Sequence, residues 1–145
     1  MKKTFLVLSL ILLTTITYGQ NSTDVLTAEF FKKYEQNSDA AFDFIFGTNK
    51  WMVENKDGID SVKFKIREYA ALMGEYIGFE RLSDKPLGES LKVSVYLIKY
   101  ERQPLRFIFK YYKAKDTWML YNFKFDESID DDLDEIMKYN YLNEN

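Results

Sequence analysis

The chain has no cysteine and no histidine in 145 residues, and only two prolines and six glycines. Without Cys no disulfide can brace the fold, so stability must come from the core. Without His or Cys, Ser-His and Cys-His nucleophilic sites are excluded, and so are the usual zinc sites and His-mediated proton transfer. No glycine-rich phosphate loop occurs, and no cofactor or metal is expected. The scarcity of Pro and Gly leaves no linker, repeat or low-complexity tract, which fits one compact domain. What the chain has in quantity is rings: 12 Phe, 11 Tyr and 2 Trp, ample apolar area for a core.

The first 19 residues stand apart. Lys2 and Lys3 precede an apolar run from Phe5 to Leu13, and a polar stretch then ends at Gly19, two positions after Thr17. This is the layout of a secretory signal peptide cleaved after Gly19, and its apolar part falls short of the roughly 20 residues a bilayer span needs. With no Cys after the run, a lipid anchor is excluded. The expected product is a soluble protein from Gln20 onward, periplasmic or extracellular, with no membrane association after cleavage. Loss of Lys2 and Lys3 leaves 18 basic against 23 acidic residues, and no basic block remains for phosphate backbones, so nucleic acid is not an expected partner.

Hydrophobic periodicity divides the remainder. After a cap at Ser22 or Thr23, Leu26, Phe30 and Tyr34 recur at helical spacing. Ser38 reads as the cap of a second helix burying Phe42, Ile45 and Phe46, which "GTNKW" ends. "KDG" at 56–58 reads as a turn. Ile59, Val62, Ile66, Tyr69, Ala70 and Met73 share one face of a third helix that Gly74 stops. The period then changes. Strands are predicted at 76–82, 91–100, 105–112 and 117–125, with "SDKPLG" as the first loop. A last helix is capped by Ser128, with Asp131 as its capping-box partner and Ile129, Leu133, Ile136 and Met137 as a buried stripe. The fold class is α+β: N-terminal helices on a curved antiparallel four-stranded sheet, closed by a short C-terminal helix.

Helices followed by a strongly aromatic meander resemble the nuclear transport factor 2-like superfamily, whose cone-shaped fold is shared with ketosteroid isomerases. Within it, "YERQPLRFIFKYYKAKDTWMLYNFKFDESIDDDLDE" is similar to the C-terminal half of small exported bacterial proteins of uncharacterised function. The resemblance implies the cone-shaped fold and a tendency to dimerise through the sheet. It implies no activity, because such folds host enzymes, binding modules and assembly domains alike.

Superfamily enzymes pair a pocket Asp with Tyr, and Asp60, Glu68, Glu75 and Glu80 lie on or after the third helix. A carboxylate there serves as a base if burial raises its pKa, and is an ordinary surface charge otherwise. The acidic run 126–135 fails as an EF-hand loop: from Asp126, the sixth and twelfth positions hold Asp131 and Met137 rather than Gly and Glu. Acids in the first turn of the last helix suit its positive end instead.

The stretch "YERQPLRF" (100–107) reads as a bend with a four-residue connection, Glu101 to Pro104. Tyr100 then opposes Leu105 and Lys99 opposes Arg106, while a second joint sets Tyr112 against Met119 and Lys110 against Tyr121. Alternation gives two faces. One carries Tyr96, Ile98, Tyr100, Leu105, Phe107, Phe109, Tyr111, Trp118 and Leu120. The other carries Val93, Val95, Leu97, Ile108, Met119, Phe123 and Phe125, interrupted by Lys99, Arg106, Lys110, Tyr112 and Tyr121. Neither is polar enough for a solvated face, so one is covered by the helices and the other by a partner, a second copy first among them. Lys99 opposite Arg106 is a like-charge pair that a nearby Glu, open solvent or an anionic ligand would offset. Lys99, Arg106, Lys110, Tyr112 and Tyr121 are therefore the candidate ligand site, for a small anionic or polar molecule. The alternative is that their long stems cover apolar neighbours while their heads reach water or an acid. The expected role is binding or assembly, with an isomerase- or dehydratase-like enzyme as the alternative.

Overall fold

The computed structural model describes residues 22–143; the leader expected at 1–19 lies outside them. Helix α1, Thr23–Gln36, starts where the Ser22 side chain accepts from the Val25 N–H at 3.2 Å. Asn37 both ends α1, donating its N–H to the Lys33 carbonyl, and caps α2, Ser38–Gly47, by accepting from the Ala40 N–H. The expected cap, Ser38, is instead the first helical residue. Asn49 and Asn55 cap α3, Lys50–Val53, and α4, Lys56–Met73. Because the Asn55 side chain accepts from the Gly58 N–H at 3.1 Å, "KDG" becomes the first turn of a helix rather than a turn between elements. Gly74 stops α4 at φ 89°, and a Cβ there would stand 2.9 Å from the Glu101 carboxylate.

Four antiparallel strands follow in the order β1-β2-β3-β4: Tyr76–Leu87, Leu91–Tyr100, Leu105–Lys113 and Trp118–Asp126. β1 runs five residues beyond the predicted Leu82, through Pro86. An edge strand tolerates that proline because one side of it has no ladder bond to lose. The α+β arrangement expected from the sequence is the one present, with α5, Ile129–Asn143, closing the chain.

The face carrying Tyr96, Ile98, Leu105, Phe107, Phe109, Tyr111 and Leu120 lies under the helices and is buried. Phe30 meets Phe109 at 5.1 Å and Phe42 at 5.3 Å, both edge-on, an arrangement favoured by ring quadrupoles. Hydroxyls tether α1 at two points, Thr27 to Tyr111 at 2.8 Å and Tyr34 to Tyr100 at 2.6 Å. Thr27 already donates to the Thr23 carbonyl, so Tyr111 is the donor in the first pair.

Two register details depart from expectation. β2 and β3 pair with Ile98 opposite Leu105 and Leu97 opposite Arg106, a slip of two residues. The cause is α4, whose last carbonyls need donors. The Arg102 N–H binds the Met73 carbonyl at 2.9 Å and its guanidinium binds the Leu72 carbonyl at 3.2 Å, while the Glu101 N–H binds the Glu75 carbonyl. The bend is thus drawn away from the hairpin to cap a helix, leaving Lys99 opposite Gly78 on β1. A slip of two keeps every side chain on its expected face.

The second departure changes faces. Tyr112 opposes Met119 as expected, but the register shifts between Tyr111 and Lys110, so Lys110 pairs with Asn122 and Tyr121 is the extra residue of a bulge. Phe123 and Phe125, expected outside, turn inward opposite Phe109 and Phe107, and Phe123 lies 5.2 Å from both Phe42 and Phe107. Beside the bulge, Thr48 Oγ1 accepts from the Leu120 N–H at 2.9 Å and Asn49 Nδ2 donates to the Leu120 carbonyl at 2.8 Å. These two side chains satisfy the edge of β4 as a neighbouring strand would.

Replacing Asn49 by Ala leaves the Leu120 carbonyl and the Trp51 N–H without their partner and should cost about 1–3 kcal/mol in urea unfolding. A midpoint unchanged from the parent's would refute the clamp.

Burial raises the pKa of the Tyr34, Tyr100 and Tyr111 hydroxyls, and burial followed by the charge of Glu35 pushes Tyr76 up to about 12. Unfolded tyrosine titrates near 10, so the stability these groups contribute is fully present below about pH 10 and is lost as pH rises through the folded values. Tyrosinate absorbance should therefore rise together with loss of near-ultraviolet dichroism above about pH 10. Full titration of all tyrosines without unfolding would contradict it.

Candidate functional site

The outer face of the sheet can be written as rows from β1 to β4. Leu87, Leu91, Tyr112 and Met119 form one; Lys85, Val93, Lys110 and Asn122 the next; Ser83, Val95, Ile108 and Lys124 the third; Glu80, Leu97, Arg106 and Asp126 the fourth. Val93, Val95, Leu97 and Ile108 make a half-buried apolar centre.

The five residues singled out in the sequence do not form one cluster. Lys110 lies beside Tyr112 and the bulge residue Tyr121, whose rings stand 6.5 Å apart at 66°. Lys110 is half-buried and has no carboxylate of the described residues within 4.0 Å. Arg106 is engaged differently. Its Nη2 and Nε bind Asp126 at 2.9 and 3.0 Å, and its Nη1 binds Asp132 of α5. Hydrogen bonds to the two carboxylates hold its pKa above the usual arginine value. It already has its anions and offers an incoming one little. Lys99 is removed to a second place altogether, and the like-charge pair expected with Arg106 does not form because of the two-residue slip.

That second place is an open groove of about 540 Å³ between α1 and the β1 edge. Phe31 and Phe79 stack along it with centroids 3.8 Å apart, and Lys32, Glu35, Tyr76 and Lys99 line it. Gly78 supplies the backbone at φ 150° that other residues rarely adopt, and the Lys99 stem runs alongside it.

The carboxylates considered for catalysis, Asp60, Glu68, Glu75 and Glu80, are all exposed. The volume between helices and sheet is filled by Phe30, Phe42, Phe107, Phe109 and Phe123. Among the described residues no group of three or more acids could hold a metal ion, and no helix is long and apolar enough to cross a membrane.

Sequence reasoning missed two arrangements. A polar network at the start of α1 joins Asp84 to Ser94 at 2.6 Å and to Lys92 at 2.9 Å, with Arg81 reaching Asp24 at 3.1 Å. Burial pushes the Asp84 carboxyl up, yet the Ser94 and Lys92 contacts bring it net below the ordinary aspartate value. The second is α5. Its stripe was expected to be buried, but Leu133 is 54 %, Ile136 56 % and Met137 70 % exposed. Its start is also different, with Asp126 accepting from the Ser128 N–H rather than Ser128 forming a capping box with Asp131.

No family model, curated protein or solved structure matches the chain.

Arg106→Gln removes the link between β3 and the first turn of α5. Partly exposed pairs are worth little each, so the expected loss is about 1 kcal/mol, with amide exchange in α5 accelerating more than in β3. Unchanged exchange in α5 would show that Arg106 does not anchor it.

Proposed function

We propose that this chain is an exported, non-catalytic assembly domain that offers the outer face of its sheet to a partner subunit. The observation that carries the reading is the division of apolar surface. The aromatic side of the sheet is occupied by the chain's own helices, while the aliphatic outer face and the α5 stripe have no covering element among the described residues. Apolar patches of this kind mark interfaces in soluble proteins. The resemblance to the nuclear transport factor 2-like superfamily supports the same reading, since it implies pairing through the sheet. The surface presented is Val, Leu, Ile and Tyr rather than the Phe-rich side.

A second reading rests on Lys110. A half-buried ammonium flanked by Tyr112 and Tyr121 suits a small anionic or polar ligand, held by a charged donor and ring edges. The enzymatic alternative, an isomerase or dehydratase using a pocket carboxylate and Tyr, needs a desolvated acid facing a closed cavity. Phenylalanine rings fill that volume here, which works against it.

Light scattering on the chain from Gln20, which keeps every described residue, tests the proposal over a dilution series. A mass of twice the monomer that survives dilution supports assembly through this face. A monomer at all concentrations overturns it and makes the Lys110 ligand reading the one to pursue.

A further inference from the structure

Helix α5 is amphipathic, and its apolar stripe has no covering element among the described residues. Every residue from Asp130 to Tyr141 is exposed, and Ile129, Leu133, Ile136 and Met137 fall at i, i+4, i+7 and i+8 on one face. A 15-residue helix standing alone in water is marginal, because packing of an apolar face supplies most helical stability in proteins. Its charge is strongly one-sided: Asp130, Asp131, Asp132, Asp134 and Glu135 against Lys138 alone.

The outer sheet face has the opposite character. Lys85, Lys110 and Lys124 surround its aliphatic centre, and none has a carboxylate of the described residues within 4.0 Å. Of the two acids in the rows, Asp126 is already held by Arg106, and Glu80 lies in the end row on β1, across the sheet from Lys124 on β4. The dimensions agree. A helix of 15 residues is roughly 22 Å long, and the nine residues of β3 span roughly 30 Å.

We infer that α5 docks, apolar stripe down, on the outer sheet face of a second copy of this chain, with its acids set against Lys85, Lys110 and Lys124. Arg106 grips Asp132 and fixes the first turn of α5 at the end of its own sheet, so the remainder projects from the domain. Two copies related by a two-fold axis each extend a helix to the other's face, which closes the assembly as a dimer. The inference deepens the assembly reading above by naming the element that covers the sheet.

The chain contains no cysteine, so introduced thiols report on one contact only. Ile136→Cys and Ile108→Cys copies, one of them tagged, are mixed and mildly oxidised, with exposed Lys56→Cys on α4 as control. Lys110→Cys serves as a second sheet position should Ile108→Cys fold poorly by circular dichroism. The expected result is a mixed disulfide at least ten times more abundant than with the control. A Lys110→Glu chain of unchanged dichroism is expected to dissociate at least tenfold more readily. A stable dimer without the cross-link, or one that survives removal of α5, overturns the helix exchange while leaving assembly through the sheet in place. A monomer at every concentration overturns both. An intramolecular disulfide in the Ile108→Cys, Ile136→Cys double variant overturns the inference in favour of α5 folding onto its own sheet.

Discussion

The packing of Phe30 against Phe42 and Phe109 is the contact on which the rest of the molecule depends. It joins α1, α2 and β3 at one point, and Phe107 and Phe123 complete the layer within 6.4 Å. Burying a Phe side chain contributes about 1.5–3 kcal/mol, and truncating one leaves a cavity costing about 3–5 kcal/mol. A chain without disulfides therefore gains most by filling this space completely. The same choice removes the enclosed volume in which a desolvated catalytic group would sit. Among the described residues, stability and the filling of the centre by phenylalanine rings have one cause.

The bulge at Tyr121 links that core to the outer surface. One inserted residue turns Phe123 and Phe125 inward, where they finish the aromatic layer, and leaves Tyr121 outside beside Tyr112 and Lys110. A regular β4 would have placed Phe123 and Phe125 on the outer face. Thr48 and Asn49 hold Leu120, the residue preceding the insertion, by its N–H and its carbonyl. A link between α2 and α3 thus fixes where the bulge falls, and through it the composition of both faces.

Much of this was legible in the chain. Alternation along β2 and β3 assigned each inward residue correctly, because a buried face and a period of two leave little freedom. The two-residue slip was invisible for the same reason: it preserves the alternation. Its cause, the need of α4 for donors, is a tertiary demand that the 100–107 stretch does not announce. The bulge left a sign in the chain that was not used: unbroken alternation that buries Leu120 also carries Asn122 and Lys124 to the core face and puts Phe123 and Phe125 outside, and one inserted residue reverses this. The stripe of α5 was read correctly as a pattern and wrongly as buried. Periodicity shows that a face is apolar; it does not say which molecule covers it.

Two of the cations on the outer face illustrate what decides a site. Arg106 presents a planar fork, and Asp126 with Asp132 occupies it. Lys110, on the same face, is half-buried among Val93, Ile108 and Tyr112 with no described carboxylate at hand. In the isolated chain water solvates its head, and the stem covers apolar neighbours. Any body that covers this face removes that water, and an ammonium desolvated without a counter-ion costs far more than the surrounding aliphatic burial returns. The covering surface must therefore be apolar at its centre and acidic at its margin. On the assembly reading proposed above, a neutral or basic surface of equal shape would leave Lys110 desolvated without a counter-ion, so the lysine would favour an acidic partner.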